Sequence, residues 1–214
     1  MEIEKKSIES ENRKINFENI YKKGGWNHNI SNIPRSGPGS CLEYTNEIRI
    51  FLNKFIPENF INTVCDLGCG DLNWIKYTKA FDVDYTGIDI VENLIIEHKI
   101  NYPTKKFYTK DIISENVTEE NEMFDLIIIR DVIFHIKIKN IFSLFENIKN
   151  KFKYILITSC NNSINEDNHD PNCHFSKVNL EIEPFNKNKG KIVADESHSD
   201  RKILLFKHNE FYDN

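Results

Sequence analysis

The stretch "VCDLGCGDLNW", residues 64–74, joins an apolar run to a pair of glycines and decides the fold of the chain. The apolar part predicts a buried strand, and Gly68 and Gly70 predict a turn where the backbone can approach a ligand closely. Asp66 and Asp71 stand on either side of the glycine pair. Glycines at this spacing after a strand are typical of a nucleotide-binding turn, so the surrounding residues must indicate which nucleotide it holds.

Short apolar runs alternate with helical segments along the following residues, which predicts βαβ units and a parallel sheet. The segment "FDLIIIR" is almost continuously apolar, as a strand covered on both faces must be. Two later runs, joined by the polar segment "ESHSDR", predict an antiparallel hairpin at the sheet edge. The predicted strands are 63–67, 85–90, 105–109, 124–129, 154–158, 191–195 and 202–207, with helices that begin near Leu72, Val91 and Lys139.

The chain is predicted to be a single compact unit with two parts. Residues 1–57 form an N-terminal helical and lid segment, and residues 58–214 form the ligand-binding domain. Within the first part, residues 1–16 mix Glu and Lys without periodicity, which indicates a frayed or helical tail, and a short helix is expected over 17–23.

The segment "RSGPGS", residues 35–40, precedes another predicted helix. Ser40 is expected to cap this helix, with Glu43 completing a capping box, and the helix is expected to end near Phe55. The glycines allow two interpretations: a lid that folds over a ligand, with Trp26 as an apolar cover, or simply a tight turn into the helix.

The bulk composition, with 39% hydrophobic and 29% charged residues, is typical of a soluble globular protein. A net charge of −5 disfavours binding to nucleic acid. The opening "MEIEKKSIES" has no apolar core of a secretory signal, and no apolar run is long enough to cross a membrane. The five cysteines form no C-x-x-C pair, so we expect reduced thiols and a cytoplasmic location.

The glycine turn lacks a feature that dinucleotide sites need. The third glycine of the G-x-G-x-x-G pattern is replaced by Asn73, and Asp71 would repel a phosphate. With Asp66, the turn carries two carboxylates, which favours a cationic ligand without phosphate. S-adenosylmethionine, with its ammonium and sulfonium groups, is such a ligand.

Acidic residues also end the next two predicted strands. Asp89 is well placed to accept hydrogen bonds from both ribose hydroxyls, a feature shared with NAD sites, so an NAD-dependent enzyme stays open as an alternative. Asp111 is expected to accept from the adenine amino group while Ile112 packs on the ring. The alternative for Asp111 is that it only begins a turn.

Four stretches resemble the class I S-adenosylmethionine-dependent methyltransferases: "VCDLGCG" at 64–70, "GIDI" at 87–90, "KDI" at 110–112 and "FDLIIIRDVIFHI" at 124–136. The resemblance covers about residues 60–207. The stretches "SGPGSCLEYT", "DLGCGDLNW", "RDVIFH" and "NLEIEPF" are also similar to a narrower bacterial and viral group, in which several members are associated with polysaccharide or sugar modification.

This resemblance implies a Rossmann-like α/β fold: a seven-stranded, mostly parallel sheet with helices on both faces and an antiparallel last strand. It also implies S-adenosylmethionine as cofactor, S-adenosylhomocysteine as product, and no metal. Together with the lid interpretation, the expected cofactor-binding residues are Trp26, Gly39, Asp66, Gly68, Cys69, Gly70, Asp89, Ile90, Asp111, Ile112 and Arg130.

The end of the fourth strand is where donor and acceptor should meet. Asp131 and His135 share a face if the segment is helical, so His135 is a candidate base that Asp131 orients. The alternatives are that His135 is a packing residue and that Asp131 caps a helix. Arg130 either faces the cofactor carboxylate or merely ends the strand.

The long polar segment 160–190 is expected to shape the acceptor pocket, with Asn179 and Phe185 as candidate substrate contacts. A divalent ion is a less favoured interpretation of the same segment, since polar loops produce such clusters by chance. The residues that would bind the ion are Asp167, His169, Asp170 and His174.

The sequence therefore predicts methyl transfer to a polar small molecule, such as a hydroxyl of a sugar, a nucleotide sugar or a glycan. An amine of a metabolite or protein is the second interpretation, and a non-catalytic binding or scaffold protein is the third. A nucleic-acid methyltransferase is disfavoured by the acidic charge and by the lack of an Asn/Asp-Pro-Pro-Tyr sequence after the fourth strand.

Overall fold

A computed structural model of the chain describes residues 2–27, 32–117, 122–167, 175–196 and 200–213, without side chains for residues 2–7. The strands are β1 (Thr63–Leu67), β2 (Asp84–Asp89), β3 (Lys106–Thr109), β4 (Phe124–Ile129), β5 (Phe152–Cys160), β6 (Lys191–Glu196) and β7 (Arg201–Lys207). They form one seven-stranded sheet at the centre, with the order β3-β2-β1-β4-β5-β7-β6.

The first five strands run parallel to one another, and β7 is antiparallel to both of its neighbours. The predicted seven-stranded sheet with its antiparallel last strand is thereby confirmed, as is the hairpin at the edge. The strand order reverses between β1 and β4, and such a switch point opens a crevice at the carboxyl ends of the strands.

Helices cover both faces of the sheet. The central strand β4 is buried along its whole length, and its side chains alternate between the two faces. The helices are α1 (Glu2–Lys22), α2 (Asn46–Glu58), α3 (Lys79–Asp82), α4 (Glu92–Asn101), α5 (Ile138–Asn147) and α6 (His208–Tyr212). Leu126 and Ile128 pack with α2, α3 and α4 on one face, whereas Ile127 and Ile129 pack with α5 and α6 on the other.

The helix predicted to begin near Leu72 does not form. Leu72 has a φ of 56°, which is incompatible with a right-handed helix. The Asp71 carboxylate accepts from the Asn73 amide at 3.1 Å, an arrangement that closes a local turn instead. A 3₁₀ turn at Ile75–Tyr77 and the four-residue α3 follow.

The predicted helix start at Ser40 is also wrong. The Ser40 hydroxyl donates to the carbonyl of Gly37 at 3.0 Å, within a 3₁₀ turn at Pro38–Ser40, and α2 begins only at Asn46. Thr45 occupies the cap position, but its hydroxyl donates backward to Cys41. The capping box with Glu43 is therefore absent from the part of the chain that the structure describes.

The N-terminal residues form one continuous helix, α1, rather than a tail followed by a short helix. The α2 side chains Leu52 and Phe55 belong to the same core as Val64 of β1. The domain boundary at residue 57 stays a prediction. No helix within the described ranges is long and apolar enough to cross a membrane. Cys41, Cys65, Cys69 and Cys160 are free, and Cys173 lies outside the described residues.

We expect the substitution Ile128→Ala to lower the free energy of unfolding by about 2–5 kcal/mol, because it removes a fully buried side chain from the central strand. Urea denaturation measures the change. Ile50→Ala is the matched control, since Ile50 is 62% exposed on α2 and its truncation should change stability by no more than about 0.5 kcal/mol. Equal losses in the two variants would contradict the assignment of the core.

Candidate active site

A cavity of about 260 Å³ lies at the carboxyl ends of β1, β2 and β4. The loop 36–40 and residues of α1 complete its wall. All but one of the cofactor and catalytic residues predicted from the sequence line it: Trp26, Gly39, Gly68, Cys69, Gly70, Asp89, Ile90, Asp111, Ile112, Arg130, Asp131 and His135. The exception is Asp66, which lies behind the turn.

Asp89 fixes the shape of the glycine turn. Its carboxylate accepts from the Gly70 amide at 2.9 Å and from the Val91 amide at 3.0 Å. Gly68 and Gly70 have φ values of 77° and 57°, and a Cβ on either would lie 2.4 Å from a neighbouring side chain. Only glycine fits these two positions, so the backbone itself forms this part of the wall.

His98, which the sequence pattern did not single out, holds the other side of the same turn. Its Nε2 lies 2.7 Å from the carbonyl oxygen of Gly70, so Nε2 carries the proton and donates. Burial lowers the pKa of His98, although the bond to Gly70 and the charge of Asp89 act in the opposite direction. His98 and Asp89 therefore both hold Gly70: His98 donates to its carbonyl, and Asp89 accepts from its amide.

Asp66 supplies a second buried carboxylate beneath the turn. Burial raises its pKa to about 7; the hydrogen bond from the Tyr85 hydroxyl, at 2.7 Å, lowers the pKa, and the charge of Asp89 raises it further. Burial likewise raises the pKa of Asp89. Two desolvated acids near one turn favour a positively charged ligand, which would stabilise their ionised forms.

Arg130 and Asp131 belong to a buried ionic cluster at the end of β4. One Arg130 nitrogen donates to Glu196 at 2.7 Å and to the Gly39 carbonyl at 2.9 Å, and the guanidinium lies over Trp74. Although Arg130 lines the cavity, protein groups hold this nitrogen. Its predicted contact with the cofactor carboxylate therefore competes with these bonds and stays a prediction.

Asp131 has one carboxylate oxygen committed to the cluster and one without a partner. Its Oδ2 lies 3.2 Å from Arg130 and 3.0 Å from Arg201. Its Oδ1 is buried and has no hydrogen-bond partner among the described residues. Asp131 also has a φ of 59°, a strained backbone state that is frequent at functional sites. This oxygen is ready to accept from a ligand.

His135 lies in an aromatic environment at the cavity wall. Its ring stacks on Trp26 at a centroid distance of 4.7 Å and meets Phe17 and Phe175 edge-on. The segment between the two predicted catalytic residues is not α-helical, because the left-handed Asp131 precedes a 3₁₀ turn at Ile133–His135. The helical spacing that would place the two on one face is therefore absent from this segment, and the orientation of His135 by Asp131 stays a prediction.

Comparison with known proteins identifies the family of the chain. A family model described as a methyltransferase domain matches residues 35–200. The chain belongs to this family of S-adenosylmethionine-dependent methyltransferases. This confirms the resemblance to the class I S-adenosylmethionine-dependent methyltransferases and replaces the NAD-dependent alternative, while membership of the narrower bacterial and viral group stays a prediction. No curated protein matches the chain.

Solved structures share the fold of the methyltransferase at low sequence identity. The N-methyltransferase NodS from Bradyrhizobium japonicum, in complex with S-adenosylhomocysteine, is 12% identical with a TM-score of 0.59, over 90% of this chain and 97% of that one. An S-adenosylmethionine-dependent methyltransferase from Clostridium acetobutylicum is 16% identical with a TM-score of 0.54, over 76% and 91%. Magnesium protoporphyrin IX methyltransferase from Synechocystis, with bound S-adenosylmethionine, is 14% identical with a TM-score of 0.52, over 76% and 78%.

The residues of the methyltransferase fit S-adenosylmethionine. When bound, this cofactor supplies a methyl group activated by a positively charged sulfur. The glycine backbone allows close approach, Asp89 presents a fixed carboxylate at the cavity wall, and Asp66 adds negative charge behind it.

Asn179 and Phe185 do not line the cavity. The Asn179 side chain donates to the carbonyl of Asn162 at 2.8 Å, and Phe185 packs against Phe142 and Phe145 of α5. Both side chains hold the segment 175–190 onto the domain. Their predicted contact with an acceptor stays a prediction.

The candidate metal cluster lies mostly outside the described residues, which exclude His169, Asp170 and His174. Asp167 is described, and its carboxylate accepts from the Ile138 amide at 2.7 Å, at the start of α5. Within the described ranges, no group of three or more His, Cys, Asp and Glu residues could hold a metal ion.

Several cavity residues carried no signal in the sequence. Arg13, Phe17 and Tyr21 come from α1, and Arg201 comes from β7. Arg13, Phe17 and Tyr21 are four residues apart, so they lie on one face of α1. This spacing is compatible with a shared surface but does not indicate that the surface lines a cavity. Arg201 reaches the cavity because the antiparallel pairing of β7 with β5 brings the start of β7 to the carboxyl edge.

We expect binding of S-adenosylmethionine to release a proton near pH 7. Asp66 has a pKa of about 7, and a cationic ligand favours its ionised form, so the affinity should fall as the pH drops below 7, by up to about tenfold per pH unit. Calorimetry in buffers of different ionisation heat measures the proton release.

Asp66→Asn should remove the proton release, and this variant separates Asp66 from the other buried groups that titrate, Asp89 and His98. Proton release that persists in Asp66→Asn would assign the effect to another group. Proton uptake by the unsubstituted enzyme would contradict a cation beside Asp66.

We also expect His98→Ala to weaken the binding of S-adenosylhomocysteine by about fivefold to tenfold, because the Gly70 carbonyl loses its buried donor. His98→Gln, which keeps a donor, should restore part of the affinity. The control is His208→Ala, a histidine that packs against Phe152 of β5. If both alanine variants weaken binding in proportion to their loss of stability, His98 has no specific effect on the turn.

Proposed function

We propose that the methyltransferase transfers a methyl group to a hydroxyl of a polar small molecule, with a sugar, a nucleotide sugar or a glycan as the acceptor class. The observation that carries this proposal is the buried, unpartnered Oδ1 of Asp131 in a wall that also contains aromatic rings. Sugars bind through hydroxyls to acidic and basic groups and through apolar faces to rings. Asp131, Arg201 and Trp26 offer these three kinds of contact.

In this proposal Asp131 positions the acceptor and His135 is the base. The Oδ1 of Asp131 accepts a hydrogen bond from the acceptor, while Arg130 and Arg201 hold Oδ2 and prevent the carboxylate from turning away. His135 removes the hydroxyl proton, a role that is worth about 10²–10⁴ in rate. Trp26 and Phe17 fix the plane of the imidazole by stacking and edge contact.

An amine acceptor is the second candidate, and the same oxygen of Asp131 supports it. A carboxylate among aromatic rings attracts an ammonium group, which becomes methylated after it loses its proton. This candidate requires no base at position 135. A purely binding or scaffold role is disfavoured because the acids and the cavity of the donor site are both present.

We also propose a cytoplasmic location. Cys65, Cys69 and Cys160 are buried free thiols close to the sheet, and a reducing compartment suits them.

A labelled-methyl assay over nucleotide sugars, free sugars, amines, proteins and nucleic acids tests the acceptor. We expect incorporation into a hydroxyl compound, and we expect His135→Ala to lower kcat by about 10²-fold or more while the Kd of S-adenosylhomocysteine stays the same. His98→Gln serves as a comparison whose defect should fall on cofactor binding instead.

Incorporation into amines alone, with full turnover by His135→Ala, would support the second candidate and contradict the first. Cofactor binding without transfer to any acceptor class would favour the scaffold role.

A further inference from the structure

Glu196 is a buried carboxylate that neither the donor site nor the proposed reaction uses. It is the last residue of β6, it is only 2% exposed, and it does not line the cavity that the described residues form. Its register partner across the hairpin is Arg201, the first residue of β7. A buried carboxylate costs free energy unless it is paired, so the groups that hold Glu196 indicate what it does.

Two arginines connect Glu196 to Asp131. Arg130 donates through Nη2 to Oε1 of Glu196 at 2.7 Å, while its Nη1 lies 3.2 Å from Oδ2 of Asp131. The Nη1 of Arg201 lies 3.0 Å from the same Oδ2, and its Nε lies 3.7 Å from Oε2 of Glu196. Each guanidinium therefore divides its nitrogens between the two carboxylates, and the four side chains form a closed ring of ion pairs.

This division leaves one oxygen of Asp131 open. A guanidinium can donate to both oxygens of one carboxylate at once, through two parallel N–H bonds. Two arginines beside a single carboxylate would then occupy both of its oxygens. In the structure only Oδ2 of Asp131 is held, while the buried Oδ1 has no hydrogen-bond partner among the described residues. The second carboxylate, Glu196, accounts for the difference because it draws one nitrogen of each arginine away.

We propose that Glu196 is a positioning residue: by holding Arg130 and Arg201, it keeps Oδ1 of Asp131 open to the acceptor. The proposal rests on the proposed role of Asp131 in acceptor binding, and it holds for a hydroxyl or an amine acceptor. Glu196 acts only through Asp131, because it lies outside the cavity wall. Without this carboxylate, we expect the freed arginine nitrogens to turn to Asp131 and to close Oδ1.

The first test follows the arginines themselves and needs neither cofactor nor acceptor. Heteronuclear NMR detects arginine side-chain N–H groups that exchange slowly with solvent, and Arg130→Lys and Arg201→Lys assign the signals. In Glu196→Gln we expect the Arg201 Nε–H signal to shift but to persist, because Asp131 captures the freed nitrogen. Adding Asp131→Asn should abolish the signal, since neither carboxylate of the ring then remains. Loss of the signal in Glu196→Gln alone, or a signal that does not shift, would overturn the proposal.

The second test measures the acceptor, with whichever compound takes the label in the methyl-transfer assay. At saturating S-adenosylmethionine, Glu196→Gln should raise the acceptor KM by about tenfold or more, because a hydrogen bond to a charged group is lost. Asp131→Asn should raise it as well, and the double variant should be no worse than Asp131→Asn, because Glu196 acts through Asp131. Glu196→Asp, which keeps the charge, should recover most of the affinity.

Asp195→Asn is the matched control, since it removes the same charge from an exposed neighbour on β6 and should leave KM unchanged. Additive losses in the double variant would contradict the proposal, because Glu196 would then act by another route or through stability alone. Thermal melts of each variant identify a general loss of the fold. If Glu196→Gln does not fold, the smaller shift that Glu196→Asp should cause in the Arg201 signal decides instead.

The two tests separate this proposal from the proposed function. If no compound accepts the methyl group, the proposed function fails, whereas the NMR signals still decide whether Glu196 holds the arginines off Asp131. If a compound is methylated but the Arg201 signal is lost in Glu196→Gln, the function stands and the positioning role of Glu196 is wrong.

Discussion

The carboxylate of Asp89 ties the turn after β1 to the start of α4, through hydrogen bonds from the Gly70 and Val91 amides. The rest of the donor site depends on this link. It holds Gly70 in its left-handed state, and His98 secures the same residue from the opposite side. Because Asp89 reaches the cavity wall as well, one side chain both builds the turn and faces the ligand that the turn receives.

Charge balance organises the other end of the cavity. Arg130 and Arg201 face Asp131 and Glu196, so the buried cluster has no net charge when all four side chains are ionised. Removing one partner from such a cluster leaves an uncompensated charge, which is why its members are interdependent. The cluster joins the end of β4 to the hairpin of β6 and β7. It thereby places an unpartnered oxygen of Asp131 at the site where methyl transfer is proposed.

The sequence predicts those parts of the molecule that depend on local pattern. Short apolar runs predicted the seven strands, because burial in the sheet restricts strand positions to apolar residues. The glycine pair predicted the turn after β1, because positive φ values favour glycine there. The prediction of a helix at Leu72 was wrong, because the Asp71 side chain accepts from the Asn73 amide and closes a turn. Apolar periodicity carries no sign of such a side-chain bond. The roles of Arg13 and Arg201 depend on partners 98 and 70 residues away, and no local pattern encodes such pairings.

The two halves of the cavity therefore differ in what determines them. The donor half is built from strand ends, whose positions the sheet fixes, and its carboxylates suit one cationic cofactor. The rest of the cavity wall comes from α1, the loop 36–40 and the start of β7, all of which reach it over long distances in sequence. These elements are not independent of the turn, because Ser36 exchanges hydrogen bonds with Asp71 at 2.9 and 3.1 Å. A short motif therefore indicates the donor, whereas no short motif indicates the acceptor, because the walls that would contact it are brought together only by long-range packing.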